Sequence, residues 1–177
     1  MSTRTIELVE TARLRCERLR PEHARELEPL LLDPRVATTL WPHRQTPTAA
    51  DLRASLEVRC AHWDLFGFGL WLLRDRATGQ MVGRGGLQHT SVGDVDEVEA
   101  GWAIVPERWG EGLATELAHE AVELGFGALR LPTIVAFTLP ENVASRRVME
   151  KAGFRYEREL EHVGLPHVLY RSRRPSS

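Results

Sequence analysis

PERWGEGLATEL, residues 106–117, is the stretch on which the reading of this chain turns. Gly110, Gly112 and the small Ala114 open an amphipathic run. Leu113, Leu117, Ala121 and Leu124 form one stripe of it, with Glu116, Glu120 and Glu123 opposite. The pattern predicts a helix over 112–126. A helix N-terminus exposes backbone N–H groups and carries partial positive charge, so phosphate oxygens bind there if side chains stay clear. Spacing alone fits two readings, a bare start for a pyrophosphate or glycines that shape a tight strand-to-helix turn. No Lys follows the glycines, which disfavours the G-x-x-x-x-G-K-[ST] loop of nucleotide triphosphatases. Thr115 ends the window that begins at Gly110, so G-x-G-x-x-G is not present either.

Outward from this stretch, alternation and turn residues place the other elements. VEAGWAIV, just upstream, reads as a strand, as do QMVGRGGLQH and FGLWLLRD, joined by a turn at 77–79. The cluster Gly83-Arg84-Gly85-Gly86 continues into strand and reads as a bulged or closely packed one. Residues 13–20 form a first strand. Pro21 suits the start of the helix that follows, and Pro29 should interrupt or end it. A second helix spans 48–63, with Leu52, Leu56 and Cys60 at helical spacing. Downstream, TIVAFTL fits a buried strand, and ENVASRRVMEKAGF a helix with Asn142 as N-cap and Gly153 as its stop. FRYERELEHV and HVLYRSRR close the chain as two strands before a frayed tail. The order is strand, two helices, three strands, helix, strand, helix, two strands. That predicts one mixed α/β domain over 1–177, with an ordered core of about 10–172 and a tail at 173–177.

The totals exclude several functions. The 177 residues suit one domain with a substantial core, and 42% apolar with 27% charged residues is ordinary for a soluble protein. Lys plus Arg number 23 against 25 Asp plus Glu, without a long run of one sign, so no nucleic-acid partner is expected. Cys16 and Cys60 make no C-x-x-C pair, and the seven histidines lack metal-ligand spacing, so no metal is expected. MSTRTIELVE has no apolar signal core and no stretch has the length to span a bilayer, so a cytoplasmic protein without membrane contact is expected.

WGEGLATEL resembles the acyl-CoA pyrophosphate loop of the GNAT superfamily of N-acetyltransferases, in the form used by its RimJ/RimL-like branch. In the pattern [QR]-x-x-G-x-[GA], Trp109 takes the Gln/Arg position, with Gly112 and Ala114 completing it. EAGWAIVPE resembles the preceding strand of that branch, PENVASRRVMEKAGF its closing helix, and TARLRCERLRPEHA its first strand and helix. The likeness spans nearly the whole chain. It implies a mostly antiparallel mixed sheet with splayed strands, flanked by helices, that binds acetyl-CoA as acyl donor. The pyrophosphate would lie on the amides of Trp109, Gly110, Glu111, Gly112, Leu113, Ala114 and Thr115. Backbone of Ile104 and Val105 would pair with the pantetheine arm like an added strand. Asn142 would meet the cofactor near that arm or serve as N-cap alone, and Arg108 and Arg147 are candidate phosphate contacts.

Amide formation from a thioester needs a neutral amine, a stabilised oxyanion and a leaving thiolate. Strand alternation puts Glu99 on a face with Gly101, Ala103 and Val105, among small neighbours. There the resemblance implies a general base, with Glu97 as nearby rival. Many members keep a Tyr near the CoA sulfur as general acid; counted from Asn142 that position is Met149, and related RimL-like enzymes point to Ser145 instead. Trp41, from the loop LWPHRQTP that also carries His43, and His167 fall in segments that face the acceptor in related folds. Apart from Arg44 these segments are poor in cations, which predicts an acceptor without strong negative charge. The acceptor is then a primary amine on a small molecule or peptide, and monomer or homodimer stays open. Two other readings remain, a non-catalytic acyl-CoA-binding module, favoured by Met149, and a different nucleotide binder on the same helix start.

Overall fold

The structure, a computed structural model, describes residues 6–41, 45 and 47–175; His43 and Arg44 lie outside them. In chain order the elements are β1 (Leu8–Glu10), β2 (Leu14–Arg18), α1 (Ala24–Leu32), α2 (Pro34–Leu40) and α3 (Ala49–Phe66). After them come β3 (Leu70–Asp75), β4 (Met81–Val92), β5 (Val95–Ile104) and α4 (Leu113–Phe126). The last are β6 (Thr133–Thr138), α5 (Val143–Lys151), β7 (Arg155–His162) and β8 (Leu165–Arg173). The strands make an eight-stranded sheet in the order β1-β2-β3-β4-β5-β6-β8-β7. Neighbours β1–β2, β2–β3, β3–β4, β6–β8 and β7–β8 run antiparallel, whereas β5 and β6 run parallel. The mixed, mostly antiparallel sheet flanked by helices is the class the sequence implies.

Three details depart from the sequence reading. The short β1 was hidden in a polar N-terminal stretch, and pairs Leu8–Glu10 with Arg15–Glu17 of β2. Pro29 lies inside α1 and does not end it. Its missing N–H would serve only the carbonyl of Arg25, in the first turn, so one bond is lost. Burial of Leu27, Leu30 and Leu31, worth about 1.5–3 kcal/mol each, outweighs that loss. The helix α2 is additional: Asp33 accepts from the N–H of Arg35 and Pro34 sets the first φ, which restarts a helix at once.

The chain divides into two compact units, Met1–Gly86 with Trp102–Leu113, and Leu87–Gly101 with Ala114–Ser177. In the first, α1 and α3 lay Leu27, Leu30, Leu31, Leu52 and Leu56 over Leu70 and Leu72 of β3 and Ala103 of β5. Thr48 and Asp51 form a reciprocal capping box at the start of α3, and Gly67 in the left-handed region ends it. Arg74 ties β3 to Glu26 of α1, with Nη1–Oε1 at 2.5 Å, and to Glu17 of β2 at 3.1 Å. In the second unit, α4 covers β6, and Ile134, fully buried, reaches against Gly125. Arg171 of β8 bridges Glu97 of β5 and Glu157 of β7. β7 is an outer strand whose Arg155, Glu157, Arg158, Glu159 and Glu161 face solvent, a charged edge that resists further strand pairing.

Leu72 is fully buried, so Leu72→Ala is expected to cost about 2–5 kcal/mol, read from the urea midpoint at unchanged m-value. The hydrogen bond from Arg74 holds Glu26 below the ordinary glutamate range. A carboxyl whose folded pKa is depressed adds stability above its unfolded pKa and loses it as pH falls through the folded one. The melting temperature should therefore drop as pH is taken from about 5 to about 3, and Arg74→Gln should flatten that dependence.

Candidate active site

Between β5 and α4 the backbone turns through a short 3-10 segment, Pro106–Arg108, and then through Gly110 and Gly112 at φ 80° and 81°. Both values lie in the left-handed region, which L residues enter only at about 1–2 kcal/mol. A Cβ at Gly110 would meet nothing within 4 Å, and one at Gly112 only Arg13 Nη2 at 3.6 Å. Conformation, then, is what requires glycine here, and the space above the loop is open. The two readings of these glycines are compatible. The loop is tethered from the same unit. Arg13 Nη1 donates to the Glu111 carbonyl at 2.8 Å, and Arg108 reaches both Asp75 at 2.9 Å and the Glu111 carboxylate at 2.8 Å. Arg108, a candidate phosphate contact by sequence, is thus held by two carboxylates and positions the loop. The buried Leu113 anchors the first turn of α4.

The end of β5 assigns different tasks to Ile104 and Val105. The N–H of Val105 bonds Val82 O of β4 at 2.9 Å, and its carbonyl accepts from Arg108 N–H at 2.9 Å. The N–H is thus taken up by β4, while the carbonyl has one partner and a second lone pair. Strand alternation turns the backbone groups of Ile104 the other way. Its carbonyl accepts from the indole Nε1 of Trp109 at 2.8 Å, while the Trp109 ring stays half exposed. A carbonyl has two lone pairs, so Ile104 keeps an acceptor site beside the indole. The sequence placed Trp109 by its backbone alone; its side chain also covers the strand end.

Glu99 is half-buried on β5, in register with Val135 of β6. The Gln88 side-chain amide donates to its Oε2 at 3.2 Å. A Cβ on Gly101 would lie 3.9 Å from its Oε1, so the glycine leaves room beside the carboxylate. Glu97 is differently placed. Arg171 takes both its oxygens, at 2.8 and 3.1 Å, and the bonds to Glu97 and then Glu157 raise the Arg171 pKa above its ordinary value. Glu97 therefore works as an ion-pair partner, leaving Glu99 as the carboxylate next to open space.

At the start of α5, Asn142 is the N-cap that the sequence indicates. Its Oδ1 accepts from Ser145 N–H at 3.2 Å, and its Nδ2 donates to Thr138 Oγ1 at 3.0 Å. Ser145 is half-buried in the first turn, Arg147 is exposed, and Met149 is buried in the core at 2% exposure. His167 of β8 is also buried. Its Nδ1 lies 3.1 Å from Leu165 O, and its ring packs edge-on to Phe137 and His162. Ala114, Thr115, Glu99, Asn142, Ser145 and His167 all belong to the second unit. Trp41, Ile104, Val105 and Trp109 to Leu113 belong to the first, where Trp41 ends α2 and packs on the core. Two residues that sequence reasoning passed over stand near Trp41: Arg84 and Arg59 line the same small pocket. The glycines around Arg84 masked it. Among the described residues no cluster of His, Cys, Asp or Glu suits a metal ion, and no helix is long and apolar enough to cross a membrane.

Residues 13–155 match the family model of the acetyltransferase (GNAT) domain, and the chain belongs to that family. The FsC-acetyl coenzyme A-N(2)-transacetylase of Aspergillus fumigatus is 30% identical over 149 residues, 81% of this chain and 63% of that protein. The GNAT-family acetyltransferase of Bacillus anthracis shares the fold with TM-score 0.77 at 21% identity, over 94% of this chain and 98% of that one. RimL, a ribosomal L7/L12 alpha-N-protein acetyltransferase solved with coenzyme A, does so with TM-score 0.74 at 16% identity, over 94% and 98%. The chain spans between 35% and 63% of the length of the curated relatives it matches.

If conformation is what selects glycine in the loop, residue type should order the damage at Gly112. Gly112→Asn should lower the melting temperature less than Gly112→Val, because Asn tolerates the left-handed region and a β-branched residue does not. Equal losses would mean that the loop relaxes out of that region.

Proposed function

We propose that the chain is an acetyl-CoA-dependent N-acetyltransferase of the RimJ/RimL-like branch, acting on a primary amine by direct attack on the thioester. The observation that carries the reading is the carboxylate of Glu99. It stands on β5 beside Gly101 with a neutral amide as its hydrogen-bond partner, in a chain whose loop 109–115 has the family's pattern. The cofactor pyrophosphate would rest on the amides of Trp109, Gly110, Glu111, Gly112, Leu113, Ala114 and Thr115, where no side chain of Gly110 or Gly112 intervenes, although the Trp109 N–H already bonds the Pro106 carbonyl at 3.2 Å. Ile104 would receive the pantetheine arm alongside the Trp109 indole. Asn142 would hold the start of α5 and meet the arm from there.

In the reaction the amine nitrogen attacks the thioester carbonyl carbon, the C–S bond breaks, and the thiolate leaves. Glu99 accepts the proton that the amine sheds. Ser145 is the candidate donor to sulfur, a lighter task because a thiol has a pKa of about 8.5 and its thiolate leaves readily. Trp41 and His167 are the candidate acceptor contacts. The buried Met149 favours a second reading, an acyl-CoA-binding module without turnover, since the family's usual tyrosine position is given over to core packing.

Acetyl-CoA at about 100 times its dissociation constant should stabilise the protein by about 2.7 kcal/mol in a thermal-shift assay, and NAD or ATP should not. Thiol release against an amine panel then separates the enzyme from the binding module. Glu99→Gln should lower kcat by about 10²–10⁴ at neutral pH, recovering in part as pH rises and free amine accumulates, while acetyl-CoA binding survives. Unchanged turnover in Glu99→Gln at pH near 7 would remove the carboxylate from the mechanism.

A further inference from the structure

Glu99 sits on a strand with a neighbour on either side, β4 and β6. Toward β6 it stands in register with Val135, which is fully buried and has no polar side-chain atom. Toward β4 stands Gln88, half-buried like Glu99 itself, and its Nε2 donates to Glu99 Oε2 at 3.2 Å. All three residues belong to the second unit.

The chemistry of the pair decides how the amide is turned. An ionised carboxylate only accepts hydrogen bonds, so the glutamine presents its NH2 group to it and not its carbonyl. A glutamate side chain is long and has many rotamers, most of which carry the carboxylate away from a given reaction partner. A general base, however, works only within hydrogen-bond reach of the proton it takes, about 2.6–3.2 Å between heavy atoms. The sheet fixes the backbone of Glu99, and the Gln88 donor anchors the far end of its side chain. The room left by Gly101, where a Cβ would lie 3.9 Å from Oε1, then keeps a fixed place beside the carboxylate.

We infer that Gln88 is a positioning residue for the general base, its amide holding Oε2 of Glu99 so that the carboxylate keeps its aim at the incoming amine. The inference deepens the proposed function and rests on its assignment of Glu99. A donated hydrogen bond favours the ionised form of a carboxylate, so the contact that aims Glu99 also keeps it in the form that accepts a proton. Gln88 follows the glycine-rich run of β4, and only its bond to β5 gives it a task, which is why sequence reasoning passed it over.

The test compares two variants. Gln88→Met keeps much of the side chain's length and removes the donor, and Gln88→Glu keeps the shape and sets a second carboxylate against the first. Each is assayed by thiol release with acetyl-CoA and an amine that the wild type accepts, and kcat/KM is corrected at each pH for the fraction of neutral amine. The acidic limb that remains reports the base of the unliganded enzyme. It should move to higher pH in both variants, by about one unit or more in Gln88→Glu, because a lost donor and a like charge both favour the protonated acid. Turnover of Gln88→Met at neutral pH should fall about tenfold while the KM for acetyl-CoA holds. Placed on Glu99→Gln, the same Met substitution should cost less than about twofold, since a residue that acts through the base has nothing left to aim. The melting curve and its shift with acetyl-CoA certify each variant as folded, and either variant alone gives a reading of the limb if the other fails to fold. An equal loss from Gln88→Met in both backgrounds, or an unmoved acidic limb in a folded variant, overturns the positioning role and leaves the acetyltransferase reading standing. So does a rise in the KM of the amine at unchanged kcat, which would make Gln88 an acceptor contact instead. Unchanged turnover in Glu99→Gln overturns the assignment of the base, and this inference with it.

Discussion

Left-handed backbone at Gly110 and Gly112 is the constraint around which the site-forming part of the chain is organised. β5 runs in the sheet and α4 must start almost at once, and the direction change is made at two residues that only glycine occupies cheaply. The same choice leaves the loop amides uncovered. A tight turn and the proposed anion cradle are therefore compatible: the φ values that demand glycine also keep side chains off the loop at Gly110 and Gly112. The tethers follow from this. A glycine-rich loop loses more conformational entropy on ordering than others, and Arg13, Arg108, Asp75 and Glu111 supply the bonds that hold it.

β5 carries this order along its length by alternation. Val105 turns its N–H to β4, and Ile104 turns its carbonyl to the Trp109 indole. Further back, Glu99 and Glu97 share a side-chain face but not a fate. Arg171 of β8 claims Glu97, and the neutral Gln88 from the adjacent strand donates to Oε2 of Glu99. The two glutamates thus differ in their partners, an ion pair for Glu97 and an amide donor for Glu99.

Much of this was legible in the sequence where periodicity is long and caps are strong. The α4 stripe, the Asn142 cap and the strand VEAGWAIV all lie where local chemistry and tertiary packing agree. Where they disagree, the sequence misled. Pro29 argues locally for a helix end, but the leucines around it bury against the sheet and outweigh one lost hydrogen bond. α2 is short, with Val36, Thr38 and Thr39 as poor helix formers, and exists because Asp33 and Pro34 start it and α1 packs beside it. Arg84 was obscured for another reason. Strand alternation gives it a face, yet only the register with Leu72 reveals that the face is the helix-covered one. The indole bond from Trp109 to Ile104 is a contact of rotamer and loop shape, which no spacing rule encodes.

Met149 bears most directly on how the proposed chemistry divides its work. It lies at 2% exposure in the core, where a tyrosine hydroxyl would need a buried partner or pay desolvation. A methionine fills such a gap without that demand. Leaving proton delivery at the sulfur to a weak donor such as Ser145 is tolerable only if the leaving group needs little help, and a thiolate meets that condition. The amine is different, since a lysine-like acceptor with pKa of about 10.4 is almost wholly protonated at neutral pH and cannot attack until it is not. Proton removal from nitrogen, rather than proton delivery to sulfur, is then the step on which the protein must act. In the proposed reaction, a methionine at the family's usual tyrosine position and room beside Glu99 put the polar chemistry on the side of the amine.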